Sequence, residues 1–309
     1  MNEFFNRRVA AVLFLGFSSG LPLALSGGTL QAWLTVEGVD IKTIGLFSLV
    51  GIPYTLKFLW SPLMDRFVVP VFGRRRGWII VSQVFLIGII LGMSATSLQN
   101  GLWVLAFLAF FLTFVSASQD VAIDAYRTEV LHERERGMGA AVSVTGYRVA
   151  MLVSGALALI LSEYIGWRAT YILMALIMFL GVTAAWFGPE PTNPGIPPAT
   201  MKEAVQGPFK EFFSRSGVWS LLGLIVLYKL GDAFAGSLTT TFLIRGVNFS
   251  VGEVGAINKG MGLASTIIGA LFGGVLMARF RLFKSLLIGG ILVLITNIFF
   301  GYVAISEQY

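Results

Sequence analysis

The sequence predicts an all-α, polytopic membrane helix bundle, and three observations carry that reading. Of its 309 residues, 56% are hydrophobic and only 12% are charged, with a mean hydropathy of +0.82. A soluble domain needs about twice that charge to cover its surface. Nine apolar runs approach or exceed the roughly 20 residues that a helix needs to cross a bilayer. The 36 glycines suit helices that pack backbone against backbone in lipid.

The nine predicted spans cover residues 9–34, 44–63, 78–98, 102–126, 139–161, 169–187, 218–243, 254–277 and 285–305. The first is too long for the core of a signal peptide and no cleavage pattern follows it, so it is expected to stay as an anchor. Lys and Arg set the orientation. With the N-terminus inside, fourteen of them fall in cytoplasmic loops and three, Lys42, Arg168 and Arg245, fall outside. That asymmetry fixes a cytoplasmic N-terminus.

Residues 188–217 break the apolar pattern. Pro189, Pro191, Pro194, Pro197 and Pro198 exclude one regular helix there. A helix-like stretch over 201–213 follows, interrupted at Gly207-Pro208. The chain therefore divides into a six-helix half over 1–188, a cytoplasmic linker over 189–217 and three helices of a second half over 218–309. A short internal echo supports a parallel repeat. Leu63-Met64-Asp65-Arg66-Phe67 after span two matches Leu276-Met277-Ala278-Arg279-Phe280 after span eight. Parallel halves of this kind are the plan of major facilitators. Nine of twelve core helices are then present, and the chain is expected to be part of a longer protein.

Composition also excludes chemistry. No cysteine is present and the only histidine is His132, in a charged loop. Disulfides, thiol nucleophiles and Cys- or His-based metal sites are ruled out. The net charge of +6 is scattered over short loops; it marks topology and not a nucleic-acid surface.

The informative residues are the charges inside apolar runs: Lys57, Asp120, Asp124, Arg148, Lys229, Asp232 and Lys259. Each costs about 2.5–3.5 kcal/mol at the centre of a lipid-facing helix, so most must face protein or water. Asp120 and Asp124 share a helix face, and Arg127 stands three residues beyond Asp124. Two readings stay open for this pair: carboxylates that load and release protons, or an ion-pair network that locks a cytoplasmic gate. Lys229 and Asp232 lie near mid-membrane beside Gly231 and Gly236, followed by Thr239 and Thr240. Interrupted helices at that depth are where transporters bind solute, although a static Lys–Asp pair fits the same spacing. Lys57 and Arg148 need partners from other spans, with Asp120 and Asp124 as candidates, or an anionic solute that Arg148 would fork. Snorkelling is a further reading for Lys57 and the expected one for Lys259. Gly269, Gly273 and Gly274 are expected at a close helix contact.

The segment Gly51-Ile52-Pro53-Tyr54-Thr55-Leu56-Lys57-Phe58-Leu59-Trp60-Ser61-Pro62-Leu63-Met64-Asp65-Arg66 resembles the second-span signature of the anhydromuropeptide permease family, the AmpG type of major facilitator. The segments 119–127 and 228–242 are similar to that family's fourth and seventh spans. Asp65, Arg66 and the run Gly73-Arg74-Arg75-Arg76 also resemble the loop signature between spans two and three of major facilitators. They depart from it by the extra residues 67–72 and by Ser61 in place of a glycine.

The resemblance implies proton-driven import of N-acetylglucosamine–anhydro-N-acetylmuramic acid and its peptides across the bacterial inner membrane, for cell-wall recycling and the induction of β-lactamase. Gln119, Tyr147, Arg148, Lys229, Thr239 and Thr240 are the expected solute-binding residues. Asp120, Asp124 and Asp232 are expected to couple protons, and Lys57, Asp65, Arg66 and Arg127 to gate or brace. The expected partners are an anionic solute and membrane lipid; the energy source is a proton gradient, with no cofactor. Three other readings remain: a carrier of another organic anion such as acetyl-coenzyme A, an inactive fragment of a transporter, and a membrane enzyme acting on lipid-linked sugars. No nucleophile motif or metal cluster supports the last.

Overall fold

A computed structural model of the chain describes residues 6–69, 72–96, 98–191, 197–228, 230, 261–280 and 282–306. Among them every regular element is helical, and five helices are long and apolar enough to cross a membrane. The chain forms two compact units, Met1–Val205 and Gln206–Tyr309.

In the first unit, α1 (Arg7–Ser26) and α2 (Gly28–Val36) make one span, bent at Gly27. The Asn6 side chain caps α1 by accepting from the N–H groups of Arg8 and Val9, both at 3.0 Å. Asp40 caps the next helix. It accepts from the hydroxyl and the N–H of Thr43, which hold its carboxyl below the usual aspartate range.

The second span departs from expectation. The sequence predicts one helix over 44–63; the structure has three short ones, α3 (Ile41–Phe47), α4 (Ile52–Leu56) and α5 (Ser61–Arg66). Tight 3-10 turns at Ser48–Gly51 and Lys57–Leu59 join them. Pro53 and Pro62 each sit in the first turn of a new helix, because proline supplies no N–H to a preceding turn.

Two longer helices follow, α6 (Arg74–Ala95) and α7 (Leu98–Val130), the latter kinked near its start at Gly101. Helix α8 (Arg136–Leu152) runs through a π turn at Val153–Leu157 into α9 (Ala158–Phe187). Together Glu133–Phe187 covers 55 residues, nearly three times a bilayer crossing. Gly166 divides it, with φ 77° and ψ 163°, a conformation that side-chain-bearing residues avoid. Spans five and six lie on either side.

Spans one and five touch backbone to backbone. A Cβ on Gly16 or Gly20 would lie 2.4 Å from the carbonyl oxygen of Ser143 or Tyr147, and one on Gly146 would lie 2.3 Å from that of Leu13. Any side chain there forces the helices apart. Of the glycines chosen from the sequence, Gly269 and Gly273 do not share this role: a Cβ at either would meet nothing within 4 Å among the described residues. A small-residue stripe permits close approach, but a facing backbone is needed to use it. Leu21, Leu25, Leu86, Ile90, Leu105 and Met174 lead one buried apolar layer. Val12, Leu15, Ile79, Ile123, Tyr126 and Val130 lead a second.

Helix α10 (Met201–Ser214) carries Pro208 inside it. In the second unit, α11 (Val218–Tyr228), α12 (Gly262–Arg279) and α13 (Leu282–Ser306) are apolar.

Candidate functional site

Helix α7 places Asp120 where α1, the broken second span and α8 converge. The Ser19 hydroxyl of α1 donates to Asp120 Oδ1 at 2.5 Å. Lys57 Nζ lies 3.8 Å from Asp120 Oδ2, with about a third of the lysine side chain exposed. Lys57 opens the 3-10 turn between α4 and α5, so the proline-driven break presents this cation. The same segment is stitched to α7 on both sides: Tyr54 Oη donates to Ser116 Oγ at 3.0 Å, and Trp60 Nε1 to Ser118 Oγ at 2.9 Å. Tyr147 of α8 is half-buried and lies within electrostatic reach of Asp120 and Arg148.

This arrangement has a definite chemistry. One carboxylate is held by one hydroxyl and by one loosely placed ammonium. Protonating the carboxyl removes the charge that retains Lys57, and an arriving anion competes for the same lysine. Charge inside a membrane span is tolerated where such partners exist.

The other residues singled out from the sequence divide into groups. Asp124 does not share Asp120's cation; it pairs with Arg127 at 3.0 Å, one turn along the same helix. Arg127 Nη1 also donates to Ser143 Oγ at 3.3 Å. Arg148 has no carboxylate in ion-pair range among the described residues; its Nη1 approaches the Met151 sulfur at 3.9 Å and its buried Nε makes no hydrogen bond. Gln119 is fully buried, and neither atom of its amide has a hydrogen-bond partner among the described residues. Its side chain is enclosed within the bundle. Lys229, Asp232, Thr239, Thr240 and Lys259 lie outside the described residues.

The loop residues form a separate network at the end of the spans. Arg75 Nη1 donates to Asp65 Oδ1 at 2.7 Å, and its Nη2 lies 2.8 Å from Glu129 Oε1. Arg74 reaches Asp65 at 3.9 Å. Arg66 stands over the Phe67 ring, 5.4 Å from its centre. Arg76 Nε donates to the Ala185 carbonyl, and its Nη1 to Glu190, both at 2.7 Å. Its Nη2 donates to the Trp186 carbonyl. Arg75 and Arg76 are therefore the central residues of this network, which spacing along the chain does not reveal. Their partners come from α5, from the far ends of α7 and α9, and from Glu190 just beyond α9.

A family model described as Major Facilitator Superfamily matches residues 12–309. The chain belongs to the major facilitator superfamily. Within it, this major facilitator is of the AmpG type. It is 54% identical over 303 residues to the "Anhydromuropeptide permease" of Escherichia coli K12, covering 98% of this chain and 62% of that protein. It is 35% identical to an "Uncharacterized protein" of Haemophilus influenzae Rd, covering 96% of this chain and 70% of the relative. It is 33% identical to the "Putative transporter AmpG 4" of Rickettsia felis, covering 97% and 74%. The chain thus spans under two thirds of the length of the first of these. Like other major facilitators it is a multi-pass membrane protein, and the relatives that have functional names are named as permeases or transporters, not enzymes.

Proposed function

We propose that this chain acts in the proton-coupled import of anhydromuropeptides across the bacterial inner membrane, by alternating access, with its N-terminus in the cytoplasm. Its 54% identity to an anhydromuropeptide permease supports the cargo. The observation that carries the mechanism is the Ser19–Asp120–Lys57 cluster, where spans one, two, four and five meet. In this reading an outside proton neutralises Asp120 and frees Lys57 for a carboxylate of the incoming muropeptide, that of the muramic acid or of its peptide. Tyr54 and Tyr147 offer hydroxyls to the sugars, and Arg148 offers a second cation. On the sequence reading alone, Lys229, Thr239 and Thr240 stay candidates for solute binding and Asp232 for proton coupling. Loss of the proton to the cytoplasm restores the Lys57–Asp120 pair and expels the solute. The membrane potential contributes about 2.3 kcal/mol per charge per 100 mV.

Uptake of radiolabelled N-acetylglucosamine–anhydro-N-acetylmuramic acid by energised cells tests this. Uptake is expected to collapse with an uncoupler, and Asp120→Asn is expected to abolish the uncoupler-sensitive part. Accumulation that ignores both the uncoupler and Asp120→Asn removes the proposed coupling. Failure of the disaccharide to enter at all, where another organic anion does, changes the cargo and keeps the mechanism.

A further inference from the structure

Away from the Asp120 cluster, α1 and the second arm of α9 leave a groove of about 260 Å³ between them. Ala10, Ala11, Ala184 and Gly188 are among the small residues that line it, between the larger Phe14, Leu180 and Phe187. The floor depends on Gly188: a Cβ there would lie 2.7 Å from the Ala184 carbonyl oxygen and 2.8 Å from Tyr126 Oη. Phe14 and Phe187 are 44% and 63% exposed. The Thr183 hydroxyl is turned back onto the Leu180 carbonyl at 2.8 Å, so it adds no free polar group to the wall.

One end of the groove is charged. Arg7 lines it, and its Nε donates to the Phe187 carbonyl at 2.8 Å. Its two terminal nitrogens have no partner among the described residues. The neighbouring chain is firmly held. Arg76 ties down the Ala185 and Trp186 carbonyls, and Tyr126 donates to that of Pro189 at 2.8 Å. The groove is therefore preformed, apolar along its length and cationic at its mouth.

We infer that this groove is a binding site for an anionic phospholipid, with an acyl chain along α1 and α9 and the phosphate on Arg7. In a membrane-spanning bundle the outward helix faces meet lipid tails. A seam with one cation at its end matches an amphiphile with one anionic head, and basic pockets between spans take such head groups. The site is separate from the proposed transport residues and does not depend on their role.

Native mass spectrometry of the purified, delipidated full chain tests the inference, using phosphatidylglycerol and phosphatidylcholine of identical acyl chains. The wild type is expected to retain phosphatidylglycerol in preference. Arg7→Gln is expected to lower that retention about fivefold, the worth of one cation at a membrane surface, while Arg7→Lys keeps most of it. Ala10→Phe fills the groove without touching the cation and is expected to abolish retention of both lipids. Equal retention of the two lipids by the wild type overturns the inference. So does wild-type behaviour of both Arg7→Gln and Ala10→Phe.

Discussion

Two carboxylate clusters in the first unit use the same side-chain chemistry and differ in how tightly they are closed. Asp65 sits at the end of the second span, where Arg75 grips it at 2.7 Å and holds Glu129 at 2.8 Å with another nitrogen. Arg75 is a planar fork with a carboxylate on each side, and its side chain is only 8% exposed. Asp120 sits within span four, where the cation is a lysine at 3.8 Å, a third exposed, and the closest bond comes from a serine hydroxyl. A two-carboxylate arginine clamp fixes geometry, whereas a single distant ammonium leaves its carboxylate free to change partners. The difference places bracing at the edge of the bundle and leaves exchangeable charge in its interior.

The sharpest way to break that comparison is Arg75→Ala. It takes the shared cation from Asp65 and Glu129 and leaves Asp65 only the more distant Arg74, at 3.9 Å. Removing one member of a buried ionic network costs about 3–5 kcal/mol, and the partial exposure of Asp65 puts the expected loss near the lower figure, about 3 kcal/mol. Thermal unfolding of the detergent-solubilised protein reads it. A loss below about 1 kcal/mol would mean that the edge network is no tighter than an ordinary surface pair. Lys57→Met comes next. A single lysine at 3.8 Å and one-third exposure supports about 1 kcal/mol or less, so stability is expected to change little while muropeptide uptake falls. Should Lys57→Met destabilise the protein as much as Arg75→Ala, the interior pair is a brace and the contrast between the clusters fails.

How much of this was legible in the sequence follows the distance over which each feature acts. The Asp124–Arg127 pair is local, three residues along one helix, and its spacing alone marks it. The charges at Lys57 and Asp120 stand out because apolar runs surround them, but their pairing joins two spans and only the fold supplies it. Arg75 with Glu129, and Arg76 with the end of α9, are invisible for the same reason. Gly16 and Gly20 lie four residues apart in plain view, yet Gly269 and Gly273 share that spacing; only the facing backbone of α8 separates the two cases. The break in span two was written in Pro53 and Pro62. An average of hydropathy over twenty residues hides it, because proline's missing donor is a backbone property and not a matter of polarity.

The smallest expected effect belongs to Asp124 and Arg127, which test whether depth or partner count decides how a pair behaves. They share span four with Asp120 but form a simple pair one turn apart on a helix, and the Asp124 side chain is 57% exposed. Helical pairs of this kind are worth about 0.3–0.5 kcal/mol. Asp124→Asn is therefore expected to leave unfolding within that margin. It is also expected to leave the uncoupler sensitivity of uptake unchanged, because Asp120 keeps Ser19 and Lys57. If Asp124→Asn instead uncouples transport as fully as Asp120→Asn, the two carboxylates titrate as one unit. The proton would then belong to the shared helix face and not to the lysine-paired residue alone.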